Sequence, residues 1–505
     1  MLPVGIGALS WLGAAATALL SLGLLLAATR HLWTLRWTLS RDRGSALPLP
    51  KGSMGWPFLG ETLHWLVQVR FHSSRRERYG AVFKTHLLGK PVIRVSGAEN
   101  VRRILLGEHS LVSTEWPQST HILLGSNTLL GSAGELHRHR RKVIFSRAAL
   151  ESYIPGIQKV VKWELRGWCR APGPITVYSS AKTLTFRIAA RILLGLSLEE
   201  KQFKDLAKTF EQLVENLFSL PLNVPFSGLR KGIKARDMLH DYMEKAIMEK
   251  LQRKNMEGHS DALDFIINSA KEHGKEFTIQ ELKEPASTSL TPDPNSVTTN
   301  PHYSDHGPGG SNHAPSRLEV PTGAVPPGSE CECQPEMNLE KLSRLRYLDC
   351  VIKEVLRVLP PVSGGYRTAL QTFELDGYQI PKGWSVMYSI RDTHETAAVY
   401  QSAPESFDPD RFGAARQEDS QGAGRFHYIP FGGGVRSCIG QELAKAVLKL
   451  LAIELVRTAR WELATPDFPA MQTVPIVHPV DGLQLFFRPL QPGGVGPSSQ
   501  VPQEA

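Results

Sequence analysis

One cysteine of this sequence stands where a thiol should ionise readily. Cys438 closes a glycine-rich loop and is followed by Ile439-Gly440, so the whole run is Phe431-Gly432-Gly433-Gly434-Val435-Arg436-Ser437-Cys438-Ile439-Gly440. Apolar residues then recur at helical spacing and predict a long helix, at Ile439, Leu443, Val447, Leu450 and Leu451. Free backbone N–H groups and the helix dipole lower the pKa of a thiol at a helix amino terminus and favour the thiolate. We therefore expect Cys438 to be a thiolate ligand.

The rest of this loop indicates what the thiolate would bind. Its glycines let the backbone pass close under a flat ligand, and Arg436 supplies a cation that suits a propionate. A cysteine alone is more often a buried residue beside a glycine turn. The ten-residue pattern favours the ligand.

A second motif lies upstream, in Lys353-Glu354-Val355-Leu356-Arg357. Glu354 and Arg357 fall on one helix face and can pair. Apolar neighbours predict that the pair is buried, and a buried pair needs further hydrogen bonds. Arg411, in Phe407-Asp408-Pro409-Asp410-Arg411-Phe412, is the predicted third member of this network.

The elements that must position these residues are mainly α-helical, with small β-sheets near the start and around 372–386. Strands are predicted at Val82 to Leu87 and Pro91 to Ser96, joined around Gly89-Lys90. Helices are predicted at 177–196, 204–217 and 235–251. We divide the chain into an anchor (1–33), a basic, proline-rich hinge (34–57), a catalytic domain (58–490, interrupted by a disordered 285–336) and a disordered tail (491–505).

The amino terminus and the composition indicate where the chain works. Residues 1–29 carry no charge, and Arg30, Arg36, Arg41 and Arg43 follow, which predicts a membrane anchor with the body of the chain on the cytosolic side. A cleavable signal peptide is the alternative. A net charge of +9 suits an anionic membrane or an acidic partner, whereas no motif supports nucleic-acid binding. Five cysteines in 505 residues indicate reducing surroundings.

Taken in order, the Glu-x-x-Arg motif, the Pro-Asp-Arg-Phe segment and the cysteine loop resemble the cytochrome P450 family. The resemblance implies that family's mainly helical fold, with haem b (iron protoporphyrin IX) held by Cys438. Phe431, Arg436 and Gly440 would line the cofactor. Glu354, Arg357 and Arg411 would brace its proximal side.

A third family motif is matched in part by His137-Arg138-His139-Arg140-Arg141. It resembles the helix whose Trp-x-x-x-Arg reaches a haem propionate. This implies that Arg141 is a propionate partner, with His137 where tryptophan is usual.

A narrower resemblance, to the retinoic-acid-hydroxylating subfamily and most of all to its C type, rests on several stretches. They are 47–57, Trp116-Pro117, Phe218-Ser219-Leu220-Pro221 and Pro360 to Arg367. It implies hydroxylation of retinoic acid, chiefly at C4, with electrons from NADPH through cytochrome P450 reductase at the endoplasmic reticulum membrane. Trp116, Phe218, Val362 and Ser363 would line the pocket, although each apolar residue could equally be core.

Two groups of cations could serve partners. A pocket for retinoic acid needs a cation for the carboxylate, and Arg94 is one candidate. A basic face could steer an acidic reductase or simply be solvated; its residues are Arg138, Arg140, Arg141, Lys142, Lys445 and Lys449.

The sequence departs from the family between 285 and 336, which is rich in Pro, Gly, Ser, Thr and Asn and is predicted to be disordered. The family's central distal (I) helix, with its proton-delivering threonine and acid, is missing here. Only Ala286-Ser287-Thr288-Ser289-Leu290 resembles its end. No catalytic residue is therefore assigned. The alternatives are a haem-thiolate isomerase, or an inactive or incomplete isoform.

Overall fold

The computed structural model describes residues 4–68, 71–87, 89–114, 116, 118–125, 144–196, 198–217, 219–252, 261–265, 336–420, 425–472 and 478–490. In chain order its α-helices are α1 (Val4–Leu39), α2 (Thr62–Val67), α3 (Phe71–Tyr79), α4 (Ala98–Leu106), α5 (Gln118–Leu124), α6 (Arg147–Arg170), α7 (Val177–Ile188), α8 (Glu200–Glu215), α9 (Gly228–Gln252), α10 (Leu339–Arg344), α11 (Arg346–Val358), α12 (Ile390–Glu395) and α13 (Gln441–Thr458). A π-helical turn, Ala189–Leu193, continues α7.

The strands are β1 (Val82–Leu87), β2 (Lys90–Val95), β3 (Val112–Thr114), β4 (Ile175–Thr176), β5 (Gly364–Ala369), β6 (Phe373–Leu375), β7 (Tyr378–Ile380), β8 (Ser385–Ser389), β9 (Ala459–Leu463), β10 (Met471–Gln472), β11 (His478–Pro479) and β12 (Gln484–Pro489). The chain divides into two compact units. The first unit comprises Met1–Pro117, Arg357–Cys438 and Thr473–Val477. The second comprises Gln118–Leu356, Ile439–Gln472 and His478–Ala505.

The first unit is built on a five-stranded sheet of order β1-β2-β8-β5-β3. Strand β8 is buried along its whole length, because β2 flanks it in parallel and β5 flanks it antiparallel. Strands β1 and β2 form a hairpin whose turn places Gly89 at φ 81°, a conformation that glycine adopts without strain. Helix α4 packs both on β8 and on the turn before Cys438, so the sheet supports the cysteine loop through this helix.

The end of α1 belongs to the core of the first unit. Helix α1 continues past residue 33 into the segment predicted as a hinge. There Trp33 is buried, and its Nε1 donates to the Met54 carbonyl at 3.2 Å. Trp37 packs edge-on against Trp384. By length and composition, Ala14–Leu39 could cross a membrane.

The second unit is mainly helical. Helix α6 packs on α13 and on β12, the middle strand of a sheet of order β4-β12-β9. Inside this core the Gln158 amide donates to Glu454 at 2.7 Å. Helix α9 begins earlier than predicted, at Gly228, because the Ser227 hydroxyl caps it by accepting from the Arg230 N–H.

The expected mainly helical architecture with small sheets is confirmed. Strand β1 has its predicted limits, and β2 starts at Lys90. The helix predicted over 177–196 changes to a π-helical turn at Ala189. We predicted that residues 285–335 are disordered and that the distal helix is absent there; these residues lie outside the described part of the chain. The tail, 491–505, lies outside it as well.

Candidate active site

The cysteine loop is held in shape by its own backbone. The Cys438 N–H donates to the Phe431 carbonyl at 2.9 Å, and the Gly432 N–H donates to the Ile429 carbonyl at 2.9 Å. Between them lies a 3-10 turn, Gly434–Arg436. Gly440 is the cap residue of α13, which begins shortly after the cysteine. The Cys438 side chain is exposed, so its sulfur is accessible to a ligand.

Close packing on α4 fixes this loop in place. Gly434 has φ 65°, and a Cβ there would lie 2.3 Å from the Leu105 carbonyl oxygen. A Cβ on Gly433 would lie 3.2 Å from Leu105 Cδ1. Gly432 has a similar φ of 69° but open space around it. Gly433 and Gly434 therefore permit close contact with α4, and Gly432 and Gly434 permit positive φ.

A buried carboxylate gathers two arginines beside the loop. Glu108 Oε2 accepts from Arg367 Nε at 2.7 Å, and Glu108 Oε1 lies 3.4 Å from Arg436 Nε. Arg436 was predicted from its place in the loop. Glu108 and Arg367 were missed as site residues, although Arg367 ends a stretch whose neighbours we assigned to the substrate. A cation at the end of the stretch assigned to the substrate was the signal that could have identified Arg367.

His394 ties the loop to the helix that carries Arg357. It is fully buried in α12, and burial lowers its pKa to about 3, so the ring is neutral. Its Nε2 accepts from the Ile429 N–H at 2.8 Å. Its Nδ1 lies 3.2 Å from the Arg357 carbonyl oxygen and therefore carries the proton. Sequence analysis did not identify His394, because nothing in the preceding Ser389-Ile390-Arg391-Asp392 indicates a contact with Ile429.

Two members of the predicted network, Arg357 and Arg411, share an acceptor. Arg357 and Arg411 are both buried, and each donates to the Ser406 carbonyl, at 3.2 and 3.1 Å. Both guanidinium carbons lie 5.2 Å from the centre of the Tyr400 ring. Glu354 is fully buried in α11.

The structure adds an acid to this network. Glu418 is fully buried, and its Oε2 lies 3.7 Å from Arg411 Nη1. The Arg416 guanidinium reaches Glu418 Oε1 at 2.6 Å, so the carboxylate has a cation on each side. A buried charge is stable only with such compensation. These contacts indicate that the segment after α12 is fixed in position by polar contacts rather than by apolar packing alone.

The predicted substrate residues have mixed surroundings. Trp116 is half-buried, and within the described part of the chain its Nε1 has no hydrogen-bond partner. Val362 is 51% exposed. The Ser363 carbonyl accepts from the Ile390 N–H at 2.9 Å. Phe218 lies outside the described residues.

The Arg94 hypothesis needs correction. Arg94 is buried, and its Nη2 donates to Ser389 Oγ at 2.7 Å and to Asp392 Oδ2 at 3.2 Å. Its charge is therefore already compensated inside the first unit, because Asp392 lies directly against it. The pKa of Asp392 lies below its usual value even though burial opposes this, since Arg94 and the Ser389 hydroxyl favour the carboxylate.

The proposed basic face is also changed by the structure. Lys449 is buried, and its Nζ contacts Asp349 Oδ1 at 2.6 Å and the Leu342 carbonyl at 2.9 Å, so it is not a surface cation. Lys445 pairs with Glu442 at 3.1 Å. The remaining predicted members, together with Arg141 as a propionate partner, lie outside the described residues: Arg138, Arg140, Arg141 and Lys142.

The donors that are present fit a flat, acidic, iron-bearing macrocycle. An exposed thiol offers a soft ligand for a transition metal. The Arg436 guanidinium of the loop and the Arg367 guanidinium share one carboxylate, and guanidiniums suit the acidic side groups of such a ring. The glycine-mediated contact with α4 fixes the height of the loop. These features agree with haem bound through Cys438.

Comparisons with known proteins give a consistent result. The sequence model of the cytochrome P450 family matches residues 50–291 and 331–485. Cytochrome P450 26C1 of Homo sapiens is 67% identical over 523 aligned residues, 98% of this chain and 99% of that protein. Cytochrome P450 26B1 of Rattus norvegicus is 54% identical over 505 residues, 96% of each chain.

A solved structure is similar as well. Retinoic-acid-bound cyanobacterial CYP120A1 matches with a TM-score of 0.75 and 31% identity, covering 88% of this chain and 100% of that chain.

Proposed function

Because the chain belongs to the cytochrome P450 family, whose members are haem-dependent monooxygenases, we propose that it hydroxylates all-trans-retinoic acid, chiefly at ring carbon C4. The observation that carries the substrate is the identity of 67% and 54%, over almost the whole chain, with two relatives of the subfamily that the sequence resembles. A similar solved structure with retinoic acid bound supports the same class of ligand.

We propose that the cysteine loop holds the cofactor. Cys438 would hold haem iron through its thiolate, and a thiolate ligand would supply the electron density that favours O–O cleavage. Phe431 accepts from the Cys438 N–H and keeps the thiol at the end of its turn. Arg436 and Arg367 neutralise propionates, and Arg141 is proposed as a third partner. Gly440 lets the chain turn directly into α13.

The network behind the loop keeps this geometry rigid. Arg357 and Arg411 bind the same carbonyl, and His394 joins the Arg357 carbonyl to the Ile429 N–H just before Phe431. We propose that Glu354 completes the network from α11. A ligand held by such a buried polar scaffold keeps one orientation through the reaction.

The proposed substrate pocket contains Trp116, Val362, Ser363 and Phe218. A half-buried indole and an exposed valine offer apolar surface to a polyene. Arg94 is paired with Asp392, so we do not assign it to the carboxylate.

We propose that electrons come from NADPH through cytochrome P450 reductase, and that α1 anchors the chain in the endoplasmic reticulum membrane with the catalytic domain cytosolic. The apolar length of Ala14–Leu39 and the arginines from Arg30 onward support this orientation.

A second proposal concerns the distal side of the haem. The family model leaves 292–330 unmatched, and the alignment to the human relative has 523 positions against 505 residues here. These observations support a chain that lacks the distal helix and its proton-delivering threonine. Such a chain would be an inactive or incomplete isoform, or would perform an isomerisation that needs no external electrons.

Turnover decides among these proposals. The full chain in vesicles receives retinoic acid, NADPH and reductase, with Cys438→Ser as the matched control. We expect a 4-hydroxylated product that requires both NADPH and reductase. A product formed without them supports the isomerase. NADPH consumption without product, or no NADPH consumption, supports the inactive or incomplete isoform. Separately, transcripts that encode a continuous apolar helix between 284 and 337 would show which form the gene normally produces.

A further inference from the structure

Among the described residues, a buried polar cluster near the cysteine loop is centred on Glu108, which no motif includes. We call it the Glu108 clamp, and its members are Glu108, Thr114, Arg367 and Arg436. Glu108 Oε1 accepts from the Thr114 N–H at 3.0 Å and from its hydroxyl at 2.9 Å. Glu108 Oε2 accepts from Arg367 Nε, and Arg436 Nε approaches Oε1.

The clamp is built into the edge of the main sheet. Glu108 follows α4 and bridges to Val112, at the start of β3. Thr114, at the end of β3, is the direct partner of Arg367 on β5. The glutamate therefore connects the end of α4, the edge strand and the 3-10 turn that precedes Cys438.

The charges of the clamp do not balance. Two guanidiniums meet one carboxylate, and the exposed fractions of the side chains are only 1% for Glu108, 8% for Arg367 and 13% for Arg436. Like charges this close repel strongly where water is scarce, so a shared anion is needed to hold them together.

The direction of the contacts indicates what the clamp is for. Glu108 accepts a hydrogen bond from Arg367 Nε, and its other oxygen lies 3.4 Å from Arg436 Nε, at ion-pair distance. Contacts at this edge restrict the plane of each guanidinium. A site whose donors are already oriented binds an anion more tightly, because no ordering cost remains at binding. The fixed arginines lie beside the loop that carries the thiol.

We propose that Glu108 is a positioning residue that holds Arg367 and Arg436 in a fixed arrangement for the propionates of the haem. The glutamate does not itself touch the cofactor; it acts through the two arginines. The proposal rests on the haem that the family implies and does not depend on which substrate is oxidised.

The test compares two forms of the cofactor. The full chain, stripped of bound haem, is titrated with haemin and with haemin dimethyl ester, which lacks the propionate charges, and the Soret absorbance reports binding. For Glu108→Gln, whose amide presents a donor to a donor, we expect about tenfold weaker haemin binding and unchanged binding of the ester. Glu108→Asp keeps the charge but is one methylene shorter and should show the same pattern.

The control is Glu99→Gln, on the exposed face of α4, where the side chain is 62% exposed and only 3.5 Å from Arg102. It should bind both compounds as the unaltered chain does. A Glu108 variant that weakens both compounds equally would show a merely structural role. A Glu108→Gln chain that binds haemin more tightly, or an unaltered chain that does not prefer haemin to its ester, would overturn the proposal.

Discussion

Replacing one glycine of the cysteine loop should separate close packing from backbone conformation. Gly434→Ala places a Cβ 2.3 Å from the Leu105 carbonyl oxygen and 3.0 Å from its carbon. Backbone atoms cannot rotate out of the way, so the loop must move off α4. Adopting positive φ costs an alanine about 1 kcal/mol, and the overpacking adds about 1–3 kcal/mol. We expect a loss of about 2–4 kcal/mol in the free energy of unfolding, together with loss of the thiolate-haem spectrum.

The matched control is Gly432→Ala in the same loop. Gly432 has nearly the same φ, 69° against 65°, but nothing lies within 4 Å of its would-be Cβ. It should lose only the conformational part, about 1 kcal/mol, and keep the spectrum. The assay is urea unfolding of both variants, with the carbon monoxide difference spectrum recorded at zero urea. If Gly434→Ala costs no more than Gly432→Ala, then contact with Leu105 does not hold the loop.

Three further predictions concern buried polar residues. Arg411→Lys should lower the free energy of unfolding by about 3 kcal/mol, because one ammonium cannot replace a guanidinium that reaches several carbonyls. Arg102→Lys, on an exposed face, is the control and should change it very little. The pKa of His394 is about 3 in the folded chain, below its ordinary 6.5, so unfolding takes up a proton and the free energy of unfolding falls as the pH drops through that interval. In denaturation at several pH values, His394→Gln should flatten this dependence of the free energy of unfolding on pH. An unchanged dependence would contradict the reasoning. Lys449→Met should lower the melting temperature without changing the affinity for reductase, measured by titration. Lys445→Met, the control, should leave the melting temperature unchanged. If Lys449→Met instead selectively lost reductase affinity, Lys449 would belong to the docking surface after all.

Sequence reasoning succeeded where the signal was local. The cysteine loop, its glycines and the following helix are contiguous in the chain, so the helix after the loop could be predicted from spacing alone. Arg357 and Arg411 were also predicted together, and the structure brings both to the Ser406 carbonyl. The family resemblance supplied that pairing, since no periodicity relates residues so far apart.

The partners missed were those that only the fold brings near. Glu108 meets Arg367 because β3 pairs with β5. His394 meets Ile429 because α12 lies against the segment just before the loop. Burial was equally hard to foresee for single charges. Arg94 lies on a strand flanked by β1 and β8, and Asp392 compensates it there.

We propose that Cys438 holds haem iron through its thiolate. The most direct measurement is the spectrum of the reduced full chain, reconstituted with haem, before and after carbon monoxide is added. We predict a strongly red-shifted Soret band in the unaltered chain and its disappearance in Cys438→Ser. An unshifted band in the unaltered chain, or a shifted band that survives in Cys438→Ser, would contradict the assignment.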